Sequence, residues 1–448
     1  GNSTFVANGQ GGDDILDASR SSLPVILFGD GGDDELHGGK SEDILVGDYG
    51  EVFWVDEAGN VTARAGGGGF GDFTDGLVRN IQEIYVIWPA LTNINGHNTN
   101  FFDSGNDVIE GNGARDIIFG CGGDNDTLSG NDGSDFIFGD FAQLIFDESA
   151  PNLYGILSIE SKSCMDDGSG GENSIFGNDG HDILVGGAQS EDTISANDGN
   201  DLAAGDCVSI KFFADHHISN ITSISEETGD IDNITMGNGD DIAIGGLKED
   251  ELHGDDGTDI LVGDHGRILF YPTVSNTTND TLSPGYFWNI PMSIETISCE
   301  YGSDDKIYGG NGTDYIIAGA LNDYVDSGEG EDLVFGDHGS ILLSEEFPYK
   351  LLSATTTHSN CTPGNDTITL GDGYDVAFGG GSDPGTSVGD TIYGDDGIDL
   401  ILGDFGQIIF YSSVPSMTDP LIPYPKSVET TSCEDGGDDF LYGGNGTD

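Results

Sequence analysis

Between Gly229 and Asp264 the chain reads GDIDNITMGNGDDIAIGGLKEDELHGDDGTDILVGD, and an Asp returns every nine residues, at Asp232, Asp241, Asp250 and Asp259. Two positions after each stands an apolar residue: Ile234, Ala243, Leu252 and Leu261. Glycine-rich loops fill the intervals. One fixed apolar position in nine cannot make an amphipathic helix, whose apolar stripe recurs every three to four residues. It suits a three-residue strand that points its middle side chain inward. A tight turn follows, and glycine supplies the left-handed backbone it needs. The Asp then leaves the turn as a hard oxygen donor of the kind calcium gathers in sets.

The same unit builds six blocks of four turns. The Asp place is held by Asp14, Val25, Asp34 and Asp43 in the first block and by Asp107, Asp116, Asp126 and Asp135 in the second. In the third it is Asn173, Asp182, Asp192 and Asp201; the fourth is the stretch above. The fifth has Asp305, Asp314, Asp323 and Asp332; the sixth has Asp366, Asp375, Asp390 and Asp399, with a loop expanded around Pro384. A seventh starts with Asp439 and Asp448. Of the 24 full turns, 22 carry Asp, a regularity beyond chance. Each block closes on Gly-Asp, at Asp48, Asp140, Asp206, Asp264, Asp337 and Asp404.

These nonapeptides resemble the RTX (hemolysin-type) calcium-binding repeat family, whose pattern is G-G-x-G-x-D-x-U-x with U a large apolar residue. The resemblance implies an all-β fold, a parallel β-roll with two nonapeptides per coil. It also implies several calcium ions between loops two repeats apart, held by the Asp carboxylates named above, those closing the blocks included, and by loop carbonyls.

Composition agrees. There are 12 Lys and Arg against 82 Asp and Glu, a formal charge of −70, with 74 glycines. Such a chain would ordinarily read as disordered; periodic rather than scattered acids argue for order that depends on cations. The charge argues against a nucleic-acid partner. No apolar run approaches the ~20 residues of a membrane span. The chain starts at Gly1 and ends within a repeat, at GGNGTD, so we expect a piece of a longer polypeptide.

The blocks are 1–50, 101–142, 165–207, 229–266, 300–339 and 362–406, with the seventh from 434 to 448. Between them lie insertions at 51–100, 143–164, 208–228, 267–299, 340–361 and 407–433. Each opens on an apolar strand, such as Arg267–Phe270, and closes on a second, most clearly SIESKSC, SIETISC and SVETTSC, which end at Cys164, Cys299 and Cys433. We read each as a β-hairpin arm leaving the roll, with bare edges able to pair with other chains. The three closing motifs recur at 134–135 residues, so the whole reads as a solenoid.

The six cysteines, Cys121, Cys164, Cys207, Cys299, Cys361 and Cys433, contain no C-x-x-C pair, and three share one place in the long repeat. They are disulfide candidates and point to an oxidising, extracellular setting. Cys164 has Cys207 or Cys121 as a neighbour to join; bonds between chains and buried free thiols both stay open. Glycan acceptors in the arms are Asn60, Asn220, Asn276, Asn279 and Asn360.

Catalytic signals are weak. No H-E-x-x-H occurs among the nine histidines. His37 and His253 sit at strand positions, and His265 and His338 follow Gly-Asp at block ends, as turn residues packing on a hairpin base. The G-x-S-x-G at Gly385–Gly389 lies in the expanded loop, away from any strand-to-helix elbow. We expect no enzyme, but a structural repeat of a secreted glycoprotein filament, a mastigoneme-like surface appendage or an adhesin, which associates with itself or with other filament and surface proteins. The alternatives are a secretion or folding domain of a toxin or hydrolase, and an ice- or carbohydrate-binding module.

Overall fold

The structure, a computed structural model, describes residues 5–9, 12–48, 50–55, 61–66, 81–85, 105–123, 125–147, 155–162, 170–188, 190–224, 228–272, 290–298, 300–345, 350–357, 361–382, 388–411, 424–431, 437–446 and 448. Two compact units divide them, one up to Ile218 and one from Ser219 onward. Every regular element described is a strand.

In the first unit two parallel sheets form the roll. An inner sheet runs through Phe5–Asn8, Val25–Phe28, Ile44–Val46, Ile117–Phe119, Phe136–Phe138, Ile183–Val185 and Leu202–Ala204. An outer sheet runs through Ile15–Asp17, Glu35–His37, Val108–Gly113, Asn125–Asp132, Glu172–Asp179 and Thr193–Asp198. Alternate nonapeptides feed alternate sheets, so two make one coil. The second unit repeats this scheme. Its inner sheet includes Ile242–Ile244, Ile260–Val262, Tyr315–Ile317, Leu333–Phe335 and Val376–Gly380. Its outer sheet includes Asn233–Asn238, Glu251–Gly257, Lys306–Gly312, Tyr324–Gly330 and Thr367–Thr369.

The insertions leave the register intact except where Val388–Tyr393 meets Asp438–Tyr442, which shift between Val388 and Thr391. Ile44 pairs with Ile117 across the whole first arm, as Ile26 pairs with Ile44 within the block. The arms themselves differ from the expectation of bare edges. In the first unit Glu51–Val55, Ile81–Tyr85, Ala142–Phe146, Ile156–Ser161 and Val208–Phe212 join edge to edge in one antiparallel sheet. In the second, Gly266–Phe270, Pro291–Thr296, Gly339–Leu343, Leu351–Thr356, Gly406–Phe410 and Pro425–Thr430 do the same. A two-stranded hairpin is marginal in water, and coil stacking brings each arm within pairing distance of the next. The edges between successive arms are therefore satisfied inside the chain, and only the end strands Val61–Gly66 and Pro425–Thr430 keep one side unpaired among the described residues.

This third sheet explains a pattern in the triplets. Outer-sheet strands alternate, as in Val108–Gly113, where Val108 is exposed and Ile109 buried. Inner-sheet strands are buried at all three positions, as in Ile117–Phe119 and Tyr315–Ile317. A strand covered on one face needs alternation; a strand covered on both reads as an unbroken apolar run. The middle residue, such as Ile118, points into the roll, and its neighbours Ile117 and Phe119 point to the arm sheet. Contact between the layers is close: a methyl built on Gly266 in the arm sheet would stand 3.2 Å from Val262 Cγ1 in the inner sheet.

Full burial of such side chains is worth about 1.5–3 kcal/mol each. Ile316 is fully buried, whereas Leu342 on the outer face of the arm sheet is 41% exposed. In calcium, Ile316→Ala should cost about 2–5 kcal/mol in denaturant unfolding, and Leu342→Ala about 0.5 kcal/mol or less. Equal losses would contradict the layer assignment.

Candidate metal centre

The Asp of each turn does two jobs with two oxygens. In the first unit the main-chain N–H of Asp14 donates to Asp34 Oδ1 at 2.8 Å, that of Asp34 to Asp107 at 2.8 Å, and that of Asp107 to Asp126 at 2.8 Å. Along the other edge Asp43 donates to Asp116, Asp116 to Asp135, Asp135 to Asp182 and Asp182 to Asp201, each at 2.7 Å. The second unit carries the same two ladders. One climbs from Asp232 through Asp250, Asp305, Asp323, Asp366 and Asp390 to Asp439 at 2.7–3.0 Å. The other climbs from Asp241 through Asp259, Asp314, Asp332 and Asp375 to Asp399 at 2.8–3.3 Å. The two departures in sequence keep the frame: Val25 N–H donates to Asp43 Oδ1 at 2.8 Å, and Asn173 N–H to Asp192 Oδ1 at 2.7 Å.

Oδ1 is thus spent on the N–H of the preceding coil, and Oδ2 is left over. Oδ2 of Asp34, Asp107, Asp116, Asp135 and Asp182, and of Asp259, Asp305, Asp314, Asp323 and Asp366, is buried and accepts no hydrogen bond. Buried polar atoms are nearly always paired, so a whole row of orphan oxygens implies a missing partner. All but Asp323 face a main-chain carbonyl of the following coil across a bare glycine; in the turn before Asp323 that place holds Ala318. A methyl built on Gly254 would stand 2.6 Å from Asp259 Oδ2 and 2.5 Å from the Gly309 carbonyl oxygen; on Gly111 it would stand 2.5 Å from Asp116 Oδ2 and 2.9 Å from the Gly130 oxygen. The space between those oxygens admits no side chain. Among the described residues no three His, Cys, Asp or Glu side chains converge as a metal site. The donors are therefore carboxylate and carbonyl oxygens together, hard ligands that fit calcium and not zinc. The residues that would hold it are the ladder aspartates and loop carbonyls such as those of Gly130 and Gly309.

Electrostatics points the same way. Burial, with the next carboxylate of the ladder adding to it, pushes Asp107 and Asp314 up to about 8 and Asp259 up to about 9. Burial, with smaller pushes from nearby acids, takes Asp34 and Asp43 to about 6 against the pull of main-chain N–H groups. Asp323 and Asp366 are driven well above the usual carboxylate range by burial and by the acids around them. Without a cation, each ladder must hold protons or endure repulsion.

The Gly-Asp aspartates that close the blocks are placed differently. Asp140 Oδ1 accepts the N–H of Gly171 at 3.2 Å and its Oδ2 that of Ala188 at 3.1 Å. Asp264 takes Ser303 and Ala320 in the same way, and Asp337 takes Gly364 and Gly381. Asp48 Oδ2 accepts Gly122 N–H at 3.3 Å. Asp48, Asp140, Asp264 and Asp337 thus stand outside the ladders and tie the point where an arm departs to the coils beyond it. Asp206 is buried at the same place, and Asp404 ends the inner strand Leu400–Asp404. Asp448 lies beside Gly443. Buried His265 and His338 follow two of these aspartates, and their carbonyls accept Ile297 and Thr357 N–H from the returning strands.

Among the other candidates, Cys121 is corrected: it is a buried free thiol, not half of a disulfide, and it takes a left-handed turn position at φ 84°. Cys164, Cys299 and Cys433 lie outside the described residues, as do Asn60, Asn276, Asn279 and Asn360. Of Gly385–Gly389, only Val388 and Gly389 are described, and they open the strand Val388–Tyr393. The resemblance implied loop carbonyls among the ligands; which ones, such as those of Gly130 and Gly309, the residues could not tell, because a main-chain oxygen has no letter.

Two outcomes follow. The aspartates hold more protons folded than unfolded, since their folded values, about 6 to 9, lie above the ordinary carboxylate value of 3.8. Their contribution to the cation-free fold is full below that ordinary value and is lost as pH climbs through 6 to 9. In chelator the thermal midpoint should fall between pH 5 and pH 8, while calcium affinity rises over the same range. A midpoint that rose with pH would contradict this. Second, Asp259→Ala and Gly254→Ala should each lower the calcium stoichiometry or affinity in titration calorimetry, and Glu51→Ala should leave both unchanged. Equal effects from all three would remove the ladder from the site.

Family comparison agrees with the geometry. The family model described as the RTX calcium-binding nonapeptide repeat (4 copies) matches residues 26–50, 103–124, 122–141, 167–190, 237–267, 302–325, 308–340, 362–383 and 384–407. No curated protein matches the chain. Most of the ladder aspartates lie in the matched stretches, and the chain carries the RTX calcium-binding nonapeptide repeat.

Proposed function

We propose that this calcium-binding chain is a structural segment of a secreted glycoprotein, in a filament, a mastigoneme-like surface appendage or an adhesin, and that it catalyses no reaction. One observation carries the reading: within each unit the ladders and sheets continue past the insertions, in register as Ile44 with Ile117 and Val262 with Ile317, with one shift between Val388 and Thr391 beside the last. Repetition of that kind builds length and surface rather than a pocket. Calcium supplies the stability, since it turns the most costly feature of the fold, its buried like charges, into bonds between coils.

The setting we propose is extracellular. Cys207 and Cys361 are in disulfide-bonded form, which supports an oxidising compartment. Asn220 lies part-exposed in the arm sheet, with the Thr222 hydroxyl of its sequon donating to its Oδ1 at 2.7 Å, which supports it as a glycan acceptor. No helix among the described residues is long and apolar enough to cross a membrane. Partners are further copies of the chain or other filament and surface proteins.

Electron microscopy of the native material tests the reading. We expect filaments in calcium that loosen or dissolve when calcium is chelated. Isolated short particles in calcium would overturn it.

A further inference from the structure

The arms pair most of their edges with one another, leaving the face of the arm sheet as its larger free surface. The outer face of the arm sheet in the second unit has an unusual order. Cross-strand pairing aligns Leu269 with Ser293, Ser293 with Leu342, Leu342 with Ser353, Ser353 with Ile409, and Ile409 with Ser427. Outgoing strands supply an aliphatic side chain and returning strands a serine. The result is a straight row of alternating knobs and hollows, with each knob about 9–10 Å from the next, twice the interstrand spacing. The knobs stand out from the sheet: Leu342 is 41% and Ile409 39% exposed.

The same face is electrically exceptional. Its six strands, from Gly266–Phe270 to Pro425–Thr430, hold two bases, Arg267 and Lys426, and two acids, Glu295 and Glu429. Arg267 donates to Glu295 at 2.8 Å. These strands therefore carry no net formal charge on a chain of −70. By contrast, two outer-sheet strands alone, Glu251–Gly257 and Tyr324–Gly330, hold Glu251, Asp255, Asp256, Asp326 and Glu329.

We infer that this face, from Ser293 to Ser427, is where a second copy of the chain docks, arm sheet against arm sheet; Asn220, the proposed glycan acceptor, pairs with Leu269 and bounds the row at that end. Two copies repel wherever acids meet acids, and here they do not. A row of knobs and hollows at one period is complementary to itself: a shift by one strand sets each Leu or Ile over a Ser of the other copy. Such contact is isologous and matches the ordinary face-to-face packing of two sheets. The inference rests on the self-association proposed above and names its surface.

Sedimentation velocity of the calcium-loaded chain tests it, with the wild type beside the double variant Leu342→Glu with Ile409→Glu, and beside Ser353→Trp, which fills a hollow. We expect the wild type to dimerise with concentration. Both variants should raise the dissociation constant at least tenfold, with circular dichroism and calcium titration unchanged. If the double variant fails to fold, Ser353→Trp decides. Added sodium chloride should strengthen the dimer, because it screens the acidic turns and takes nothing from a neutral face; calcium bridges between acidic faces would weaken instead. Association that ignores both variants overturns the face and leaves the filament reading in place. A wild type that stays monomeric also overturns the face, whereas the filament reading stands or falls on microscopy of native material.

Discussion

The structure depends on one hydrogen bond made again and again: the N–H of an aspartate donating to the Oδ1 of the aspartate one coil on. It sets the pitch between coils, because the side chain reaches only one interstrand spacing. It also fixes rotamer and register, and so aims every Oδ2 into the turn. A bond to a carboxylate is worth more than a neutral one. Yet the carboxylates that supply it are stacked a strand apart in a buried row, where burial and neighbouring acids both resist ionisation. The ladder specifies the fold and charges it against itself. Calcium resolves the conflict, since it takes the oxygen that the ladder leaves unused.

The arms follow from the same stacking. Coils at a constant spacing place successive insertions side by side, so their strands pair whether or not the hairpins would be stable alone. Once joined, they cover the inner sheet, which could not face water with Ile117, Phe119, Leu333 and Phe335 on its outer side; all four are fully buried. The rings of Phe335 and Phe378 stack at 4.7 Å on neighbouring inner strands, so even the aromatic side chains keep the coil spacing. The Gly-Asp aspartates hold the junction. Their carboxylates receive main-chain N–H groups from two coils where the chain turns from roll to arm.

Departures from the repeat show what the ladder requires. Val25 offers no carboxylate, yet its N–H still binds Asp43, so the main-chain half of the ladder survives the loss of the side chain. Asn173 keeps the shape of Asp without the charge, and its Nδ2 donates to the Gly171 carbonyl at 2.9 Å. Arg115 sits one residue before Asp116, buried, donating to the Ser134 carbonyl at 3.0 Å with its guanidinium over the Phe136 ring. It brings a fixed positive charge close to Asp135 and Asp182, where it partly offsets their repulsion. These substitutions fall in the first unit, where the ladders are less uniform in charge.

Much of this was legible in the residues. A nine-residue period with Asp at one place and an aliphatic residue two places later determines strand, turn, inward face and ligand type, because each is a local consequence of spacing and side-chain chemistry. The inner-sheet triplets IIF, FIF, YII and LVF also announced a strand covered on both faces, a signal that attention to the single apolar position passed over. The fate of the arms was not legible. Whether an apolar hairpin pairs with its neighbour, with the roll or with another molecule depends on where coil stacking puts it, and no local residue encodes that distance. The carbonyls of the cradle are main-chain atoms common to every residue. Only the close approach of one coil's glycine to the next coil's backbone turns them into ligands, and that approach exists in the tertiary structure alone.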